Sequence, residues 1–349
     1  MRRTKYWLGG LVLPLVVLFG ITWSWTYTPY GRLDYRAAVS LKLLSFEATI
    51  KPDPGSDFEI TIPVNLAYAL SDRLPHETVS RTEDVRIESG DGSIVPARVY
   101  WPADFESYHQ PPPVTLYFHG GGFVVGSVDI FDQLTRSLAN ATSTIVVSVD
   151  YRLAPTHPHP AAVNDCYASL LWLADHAANL GGDAGRLIVA GDSAGAHLAA
   201  VTSLRAQLEG GPDLSAQVLY YPAADLTDTY YESRKKFSDG YGMSSGSMAA
   251  FREAYVGHIE NRHDPYISPL YAESHRGLPP ALIITAGFDP LADLGHAYAA
   301  KLRDSGVIVD VVNYPEMIHG FMSVRLFSQR RQALNETADF LDKVFARQE

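Results

Sequence analysis

Six short, mainly apolar runs separated by segments of helical period restrict this chain more than any other feature. Val114–Phe118, Thr144–Val149, Leu187–Ala190, Gln217–Tyr221, Ala281–Thr285 and Val307–Val312 have the length and character of strands buried on both faces of a mainly parallel sheet. The segments Ile130–Asn140, Ala161–Asn179, Ala194–Glu209, Pro290–Ser305 and Gln329–Phe345 lie between or after them and repeat apolar residues at helical spacing. Parallel neighbours need crossover connections, so this alternation predicts a doubly wound α/β domain. Upstream, Val85–Glu88 and Ile94–Tyr100 flank Gly90-Asp91-Gly92 and predict a hairpin. No internal repeat and no low-complexity tract interrupts the pattern.

Two segments stand outside the alternation: Arg32 to about Arg81, and about 225–262 between two core strands. Both are expected to form a cap over a catalytic domain spanning 82–349. The second carries Met248, Phe251, Tyr255 and Ile259 at i, i+3, i+7 and i+11, one apolar helical stripe. Such a stripe ordinarily packs on a core; above strand ends it would wall a pocket.

The amino terminus reads as a membrane anchor over residues 1–31. Arg2, Arg3 and Lys5 precede Tyr6–Gly31, which contains no charged residue; Trp7 stands near one end and Trp23, Trp25 and Tyr27 near the other. A helix of about 20 residues spans the hydrocarbon layer, aromatics favour its two borders, and cations stay cytoplasmic. The body is thereby expected on the periplasmic or extracellular side. A cleaved signal peptide releasing a secreted protein is the alternative, although Thr22-Trp23-Ser24-Trp25 offers no small-x-small cleavage site. The charge of −11 gives no basic face for nucleic acid, and the single Cys166 excludes an internal disulfide.

The chemistry is written at the ends of the apolar runs. Gly191-Asp192-Ser193-Ala194-Gly195 lies between a strand-like run and a helix-like segment. There, a serine on a sharp strained turn projects its hydroxyl from the sheet edge. His119-Gly120-Gly121-Gly122 follows Val114–Phe118. Glycines let main-chain amides approach a developing oxyanion, so Gly121 and Gly122 are expected donors together with the Ala194 amide. His119 is expected to hold that loop by hydrogen bonding. Asp289-Pro290 follows Ala281–Thr285 and fits either a helix N-cap or a catalytic acid; Asp293 is the rival carboxylate. His319 follows the last run in a loop, whereas His296 falls inside a predicted helix. His157 and His159 lack a third ligand, so no metal site is expected. Arg152 is expected to pair with a buried carboxylate such as Asp165.

With these motifs the chain resembles the hormone-sensitive-lipase family of α/β-hydrolases, which includes bacterial carboxylesterases and arylacetamide deacetylases. The similarity runs from about Val85 to the carboxyl end. It rests on His119–Gly126, Asp150-Tyr151-Arg152-Leu153-Ala154-Pro155, Gly191–Gly195, Ser268-Pro269-Leu270, Asp289-Pro290-Leu291-Ala292-Asp293 and His319-Gly320-Phe321. The resemblance implies an α/β-hydrolase fold with a helical cap and a triad of Ser193, Asp289 and His319. It implies a serine carboxylesterase acting on short- to medium-chain acyl esters with no cofactor. Lipase, amidase or deacetylase, and lactonase activities use the same groups; a ligand-binding protein on this fold is the non-catalytic alternative. Phe123, Phe251, Tyr255 and Phe321 are the expected pocket residues. The oligomeric state is left open, with a dimer compatible. Thr156 and Leu294 depart from the family pattern in loop detail, and the animal branch's cysteine pair is missing.

Overall fold

The computed structural model describes residues 15–44, 49–52, 58–61 and 74–347. Residues 15–24 form helix α1, with Leu15, Val16, Val17, Leu18, Phe19 and Ile21 exposed. The chain then turns into a small hairpin, β1 (Tyr27–Thr28) against β2 (Gly31–Arg32). This corrects the carboxyl end of the expected span, which is not helical beyond 24. The reason is local: the Thr22 and Thr26 hydroxyls donate to helix carbonyls at Leu18 and Trp23, competing with the backbone ladder. Tyr30 at the hairpin tip packs edge-on against Phe237 at 5.4 Å. Among the described residues no helix is long and apolar enough to cross a membrane. Residues 1–14 of the expected anchor lie outside the described residues.

Helix α2 (Tyr35–Leu44) starts where Asp34 accepts from the amides of Arg36 and Ala37, and it buries Ala37, Ala38 and Leu41. Strands β3 (Thr49–Pro52) and β4 (Phe58–Thr61) pair antiparallel; the rest of the expected amino-terminal cap up to residue 73 lies outside the described residues.

The central sheet has eight strands: β5 (Arg81–Glu88), β6 (Ile94–Trp101), β7 (Pro113–Phe118), β8 (Ile145–Val149), β9 (Asp183–Asp192), β10 (Ala216–Tyr220), β11 (Ala281–Phe288) and β12 (Val309–Ile318). Their spatial order is β12-β11-β10-β9-β7-β8-β6-β5. Only β5–β6 and β6–β8 pair antiparallel; the other pairs are parallel. Period-two alternation sorts the strand residues onto two cores. Leu116, Val147, Val189, Leu219 and Ile283 face one, and Tyr117, Val146, Ala190, Val218 and Ile284 the other. Helices α4 (Ala161–His176), α5 (Ala194–Glu209) and α8 (Ala292–Asp304) cover the first face. Helices α3 (Val128–Thr142) and α9 (Ser328–Phe345), with α2, cover the second. The sheet is therefore wound on both sides, as the alternation predicts.

Between β10 and β11 the chain forms α6 (Glu232–Phe237) and α7 (Ser245–Val256), within the stretch expected as a cap insertion. Strand β12 runs to Ile318, six residues past the expected end. It is an edge strand, so Asn313 and Glu316 stay partly or fully exposed and hide the strand from an apolar-run reading. The carboxyl ends of β7, β9, β11 and β12 deliver His119, Ser193, Asp289 and His319 to one edge, where open α/β sheets place their ligands.

Candidate active site

Ser193 sits between β9 and α5 at φ 54° and ψ −117°, a conformation a non-glycine residue adopts only when its surroundings enforce it. The enforcement is visible on each side. Its amide donates to the Tyr220 carbonyl at 2.8 Å, and its carbonyl accepts from His197 at 3.1 Å. A Cβ on Gly195 would collide with the Phe118 carbonyl, and one on Gly191 with the backbone of Gly195, so the strand-to-helix turn closes only with glycine at both places.

His319 lies at the end of β12, before Gly320 in the left-handed region at φ 78°. Its Nε2 is 2.8 Å from Ser193 Oγ, and its Nδ1 is 2.8 Å from Asp289 Oδ2. Tyr221, itself at φ 41°, packs its ring 4.7 Å from the imidazole. Asp289 is fully buried, and its other oxygen accepts the Leu291 amide at 2.7 Å. Helix α8 begins at Ala292 with Leu291 as its cap residue, so Asp289 is not the N-cap. Asp293, the rival, turns the other way: Oδ2 accepts the Ser233 amide at 2.8 Å and ties α6 to α8.

The glycine loop is held at several points. Tyr151 donates to the His119 carbonyl at 2.7 Å, and His119 Nδ1 donates to the Gly120 carbonyl at 2.8 Å. Burial pushes His119 down to about 4, keeping it neutral. Gly121 is at φ 120°, and its carbonyl takes the amides of Val124 and Val125. A Cβ there would strike the Val125 carbonyl. Among the described residues the amides of Gly121, Gly122 and Ala194 donate to no protein group. Gly122 and Ala194 line one cavity with Ser193. Arg152 pairs with buried Asp165 through Nε and Nη2, the latter at 2.7 Å.

That cavity measures about 400 Å³. Phe123, Met243, Met248, Phe251 and Leu291 make its apolar side, and Asp225, Arg234 and Arg252 a polar one. Of the expected pocket residues, Phe123 and Phe251 line it. Tyr255 and Phe321 do not: Tyr255 stacks on Phe123 at 4.0 Å in the core, and Phe321 is buried against Tyr221 and Tyr314. The stripe on α7 thus divides, Met248 and Phe251 facing the cavity and Tyr255 supporting its wall.

Sequence reasoning missed the polar wall. Arg234 donates to the carbonyls of Asp225, Thr227 and Thr229, and burial lowers its proton affinity. Asp225 accepts from the Tyr231 and Tyr271 hydroxyls at 2.6 and 3.1 Å. No local spacing signals these pairings. Asp192, inside the Gly191–Gly195 pentapeptide, likewise carries no signal in its spacing.

Residues 115–323 match a family model described as alpha/beta hydrolase fold. The chain is 42% identical over 251 residues to Esterase LipI of Mycobacterium tuberculosis, covering 72% of this chain and 78% of that protein. It is 40% identical to Carboxylesterase NlhH of the same species over 235 residues, with 66% and 72% covered. Among solved structures it is similar to a hyperthermophilic esterase from the archaeon Pyrobaculum calidifontis. That likeness has a TM-score of 0.74 at 40% identity, covering 80% of this chain and 87% of that one.

Proposed function

Because the chain belongs to the hormone-sensitive-lipase family of α/β-hydrolases, and is a carboxylic ester hydrolase, we propose that Ser193, His319 and Asp289 perform its reaction on short- to medium-chain acyl esters. The observation that carries this reading is the unbroken line from Ser193 Oγ through both imidazole nitrogens to the buried Asp289, with 2.8 Å at each step.

In this mechanism neutral His319 takes the serine proton as Oγ attacks the ester carbonyl. Asp289 fixes the tautomer with hydrogen on Nδ1 and stabilises the imidazolium that forms. The negative oxygen is met by the unengaged amides of Gly121, Gly122 and Ala194, each worth ~3–4 kcal/mol in comparable sites. Nε2–H then protonates the departing alkoxide, leaving an acyl group on Ser193. Water, deprotonated by the same imidazole, releases the acid and restores the serine. Phe251 and Met248 bound the cavity on the cap side and favour acyl chains of limited length.

A Ser193→Ala variant should lose ~10⁶-fold in kcat, as removal of a triad nucleophile does, and should no longer be labelled by a fluorophosphonate probe. Esters from acetyl to palmitoyl, with one anilide, test the class. A maximum at the long end would replace the esterase reading by a lipase, anilide turnover by an amidase, and unimpaired turnover in the variant would remove the mechanism.

Membrane attachment and the division into anchor (1–31), amino-terminal cap (32–81) and inserted cap (225–262) belong to the same proposal. Support comes from the exposed aliphatic side chains of α1 and the absence of charge from Tyr6 to Gly31. Fractionation of the full chain, with sequencing of its mature amino terminus, separates an anchor in the membrane pellet from a processed, released protein.

A further inference from the structure

Asp192 is a buried carboxylate held by neutral hydrogen-bond donors. Its Oδ1 accepts the Tyr117 hydroxyl at 2.6 Å and the Gly120 amide at 2.8 Å. Among the described residues no lysine or arginine bridges it, and only 3% of it is exposed. Burying a charge among neutral donors is costly, and an asparagine oxygen would accept the same two bonds without that cost. The place of the charge is specific. Asp192 precedes the nucleophile, and its side chain reaches across to Gly120 at the root of the loop carrying Gly121 and Gly122. A Cβ on Gly120 would strike the carboxylate, so loop and carboxylate are fitted to each other. Asp192 is bonded in sequence to Ser193, whose Oγ is 2.8 Å from His319 Nε2, so its carboxylate falls within electrostatic reach of the imidazole.

We propose that Asp192 is a positioning residue for ester cleavage: it locks the glycine loop to the nucleophile turn and lends a second negative charge to the imidazolium formed at His319. The inference rests on the triad reading above. Asp289 meets the imidazolium directly through Nδ1, whereas Asp192 acts through space and through Gly120.

The titratable groups that interact with Asp192 are Tyr117 on β7, Tyr151 beyond β8, Tyr220 at the end of β10, and His319 beyond β12. Burial raises the phenols of Tyr117, Tyr151 and Tyr220, so they stay neutral at ordinary pH. Arg330 acts on Tyr117 and Tyr220. Burial pushes Asp192 itself up to about 6. It is therefore ionised at pH 8 and largely protonated at pH 5.

Asp192→Asn removes the charge and keeps an acceptor at Oδ1. At pH 8 we expect kcat to fall about tenfold with KM changed by less than about twofold, the pattern of an interaction made mainly in the transition state. The ratio of wild-type to D192N rates should shrink toward one by pH 5, where the wild-type carboxyl is also neutral. The melting temperature of D192N at pH 8 should equal or exceed that of wild type. Asp192→Ala, which also strands the Gly120 amide, should be slower again by about tenfold. An unchanged kcat in D192N, a rate ratio constant with pH, a lower melting temperature, or D192A as fast as D192N would each overturn the proposal. Ser193→Ala is measured alongside. A dead S193A with an unimpaired D192N refutes the role of Asp192 alone, whereas an active S193A refutes the triad beneath it.

Discussion

The carboxyl edge of the sheet and the proposed cap, the insertion between β10 and β11, are held together by different means. At the edge, backbone meets backbone: Gly195 against the Phe118 carbonyl, Gly191 against Gly195, Gly121 against the Val125 carbonyl. Ser193 and Tyr221 keep positive φ there because neighbouring main chain leaves no alternative. In the cap, side chains do the holding. Arg252 reaches Asp228 at 2.6 Å, Arg262 reaches the same carboxylate at 3.7 Å, and Asp228 is 74% exposed. Helix α6 has six residues and is pinned to α8 through Ser233, Asp293 and the Pro290 carbonyl. On the proposed mechanism, chemistry occupies the part that tolerates no added atom, and substrate selection the part whose contacts can be exchanged at small cost.

The sharpest way to break this contrast is to add one methyl group to the edge. In Gly121→Ala the new Cβ meets a carbonyl oxygen, and φ 120° is strained for any side chain. The loop must shift, taking two of the three unengaged amides with it. We expect kcat/KM to fall by ~10²–10³-fold, a loss of ~3–4 kcal/mol of transition-state stabilisation. A soluble acetyl ester and a parallel melting curve provide the measurement. An alanine here with near-normal turnover would mean that the edge is as pliable as the cap.

Acid should also be felt at the edge. His119 beneath the glycine loop and His197 on α5 are fully buried, and burial pushes both down to about 4 from an ordinary 6.5. The unfolded chain therefore takes these protons first. The stability concerned is fully present above pH 6.5 and is lost as pH falls toward 4, at about 3 kcal/mol per histidine. Asp192 runs the other way: raised to about 6, it lets the fold take a proton first and regains stability between pH 6 and 3.8. Two histidines outweigh one aspartate, so the unfolding free energy should drop between pH 7 and 4. Urea titrations across that interval test it, and His197→Gln should make the decline shallower. A flat profile in the wild type would show that these imidazoles are not the acid-sensitive points.

The same contrast explains what could be read in the sequence. Ser193, Gly121 and Gly122 were legible because strained turns and close approaches admit so few residue types that the chain spells them out, and His319 because it is the loop histidine that follows Ser193 and Asp289 in order. The central strands were legible because burial on both faces leaves a dense apolar run. Asp289 and Asp293 were harder, being two carboxylates four residues apart after one strand; the family resemblance favours the first, and the structure separates them by the bond from His319 Nδ1 to Asp289 and the turn of Asp293 toward Ser233. The polar wall of Asp225, Arg234 and Arg252 was not legible at all, since charged residues in a loop look the same whether they face water or a cavity. Tyr255 illustrates the converse error. Helical spacing put it on one stripe with Phe251, but that stripe is wide enough to serve a pocket with one side and the core with the other.

Phe251 is where the two regions touch, since a Cβ on Gly122 would run into its ring. Phe251→Ala therefore tests whether cap and edge are separable. The ring lies against Gly122 of the glycine loop and lines the cavity, so its removal should lengthen the space open to an acyl chain without moving the backbone that holds the amides. If selection belongs to the cap, kcat/KM for an acetyl ester should change by no more than about threefold. The preferred acyl length should rise by a few carbons, at ~1 kcal/mol per methylene newly accommodated. A loss on every ester alike, short ones included, would mean that the aromatic ring braces the loop and that the cap takes part in the chemistry it covers.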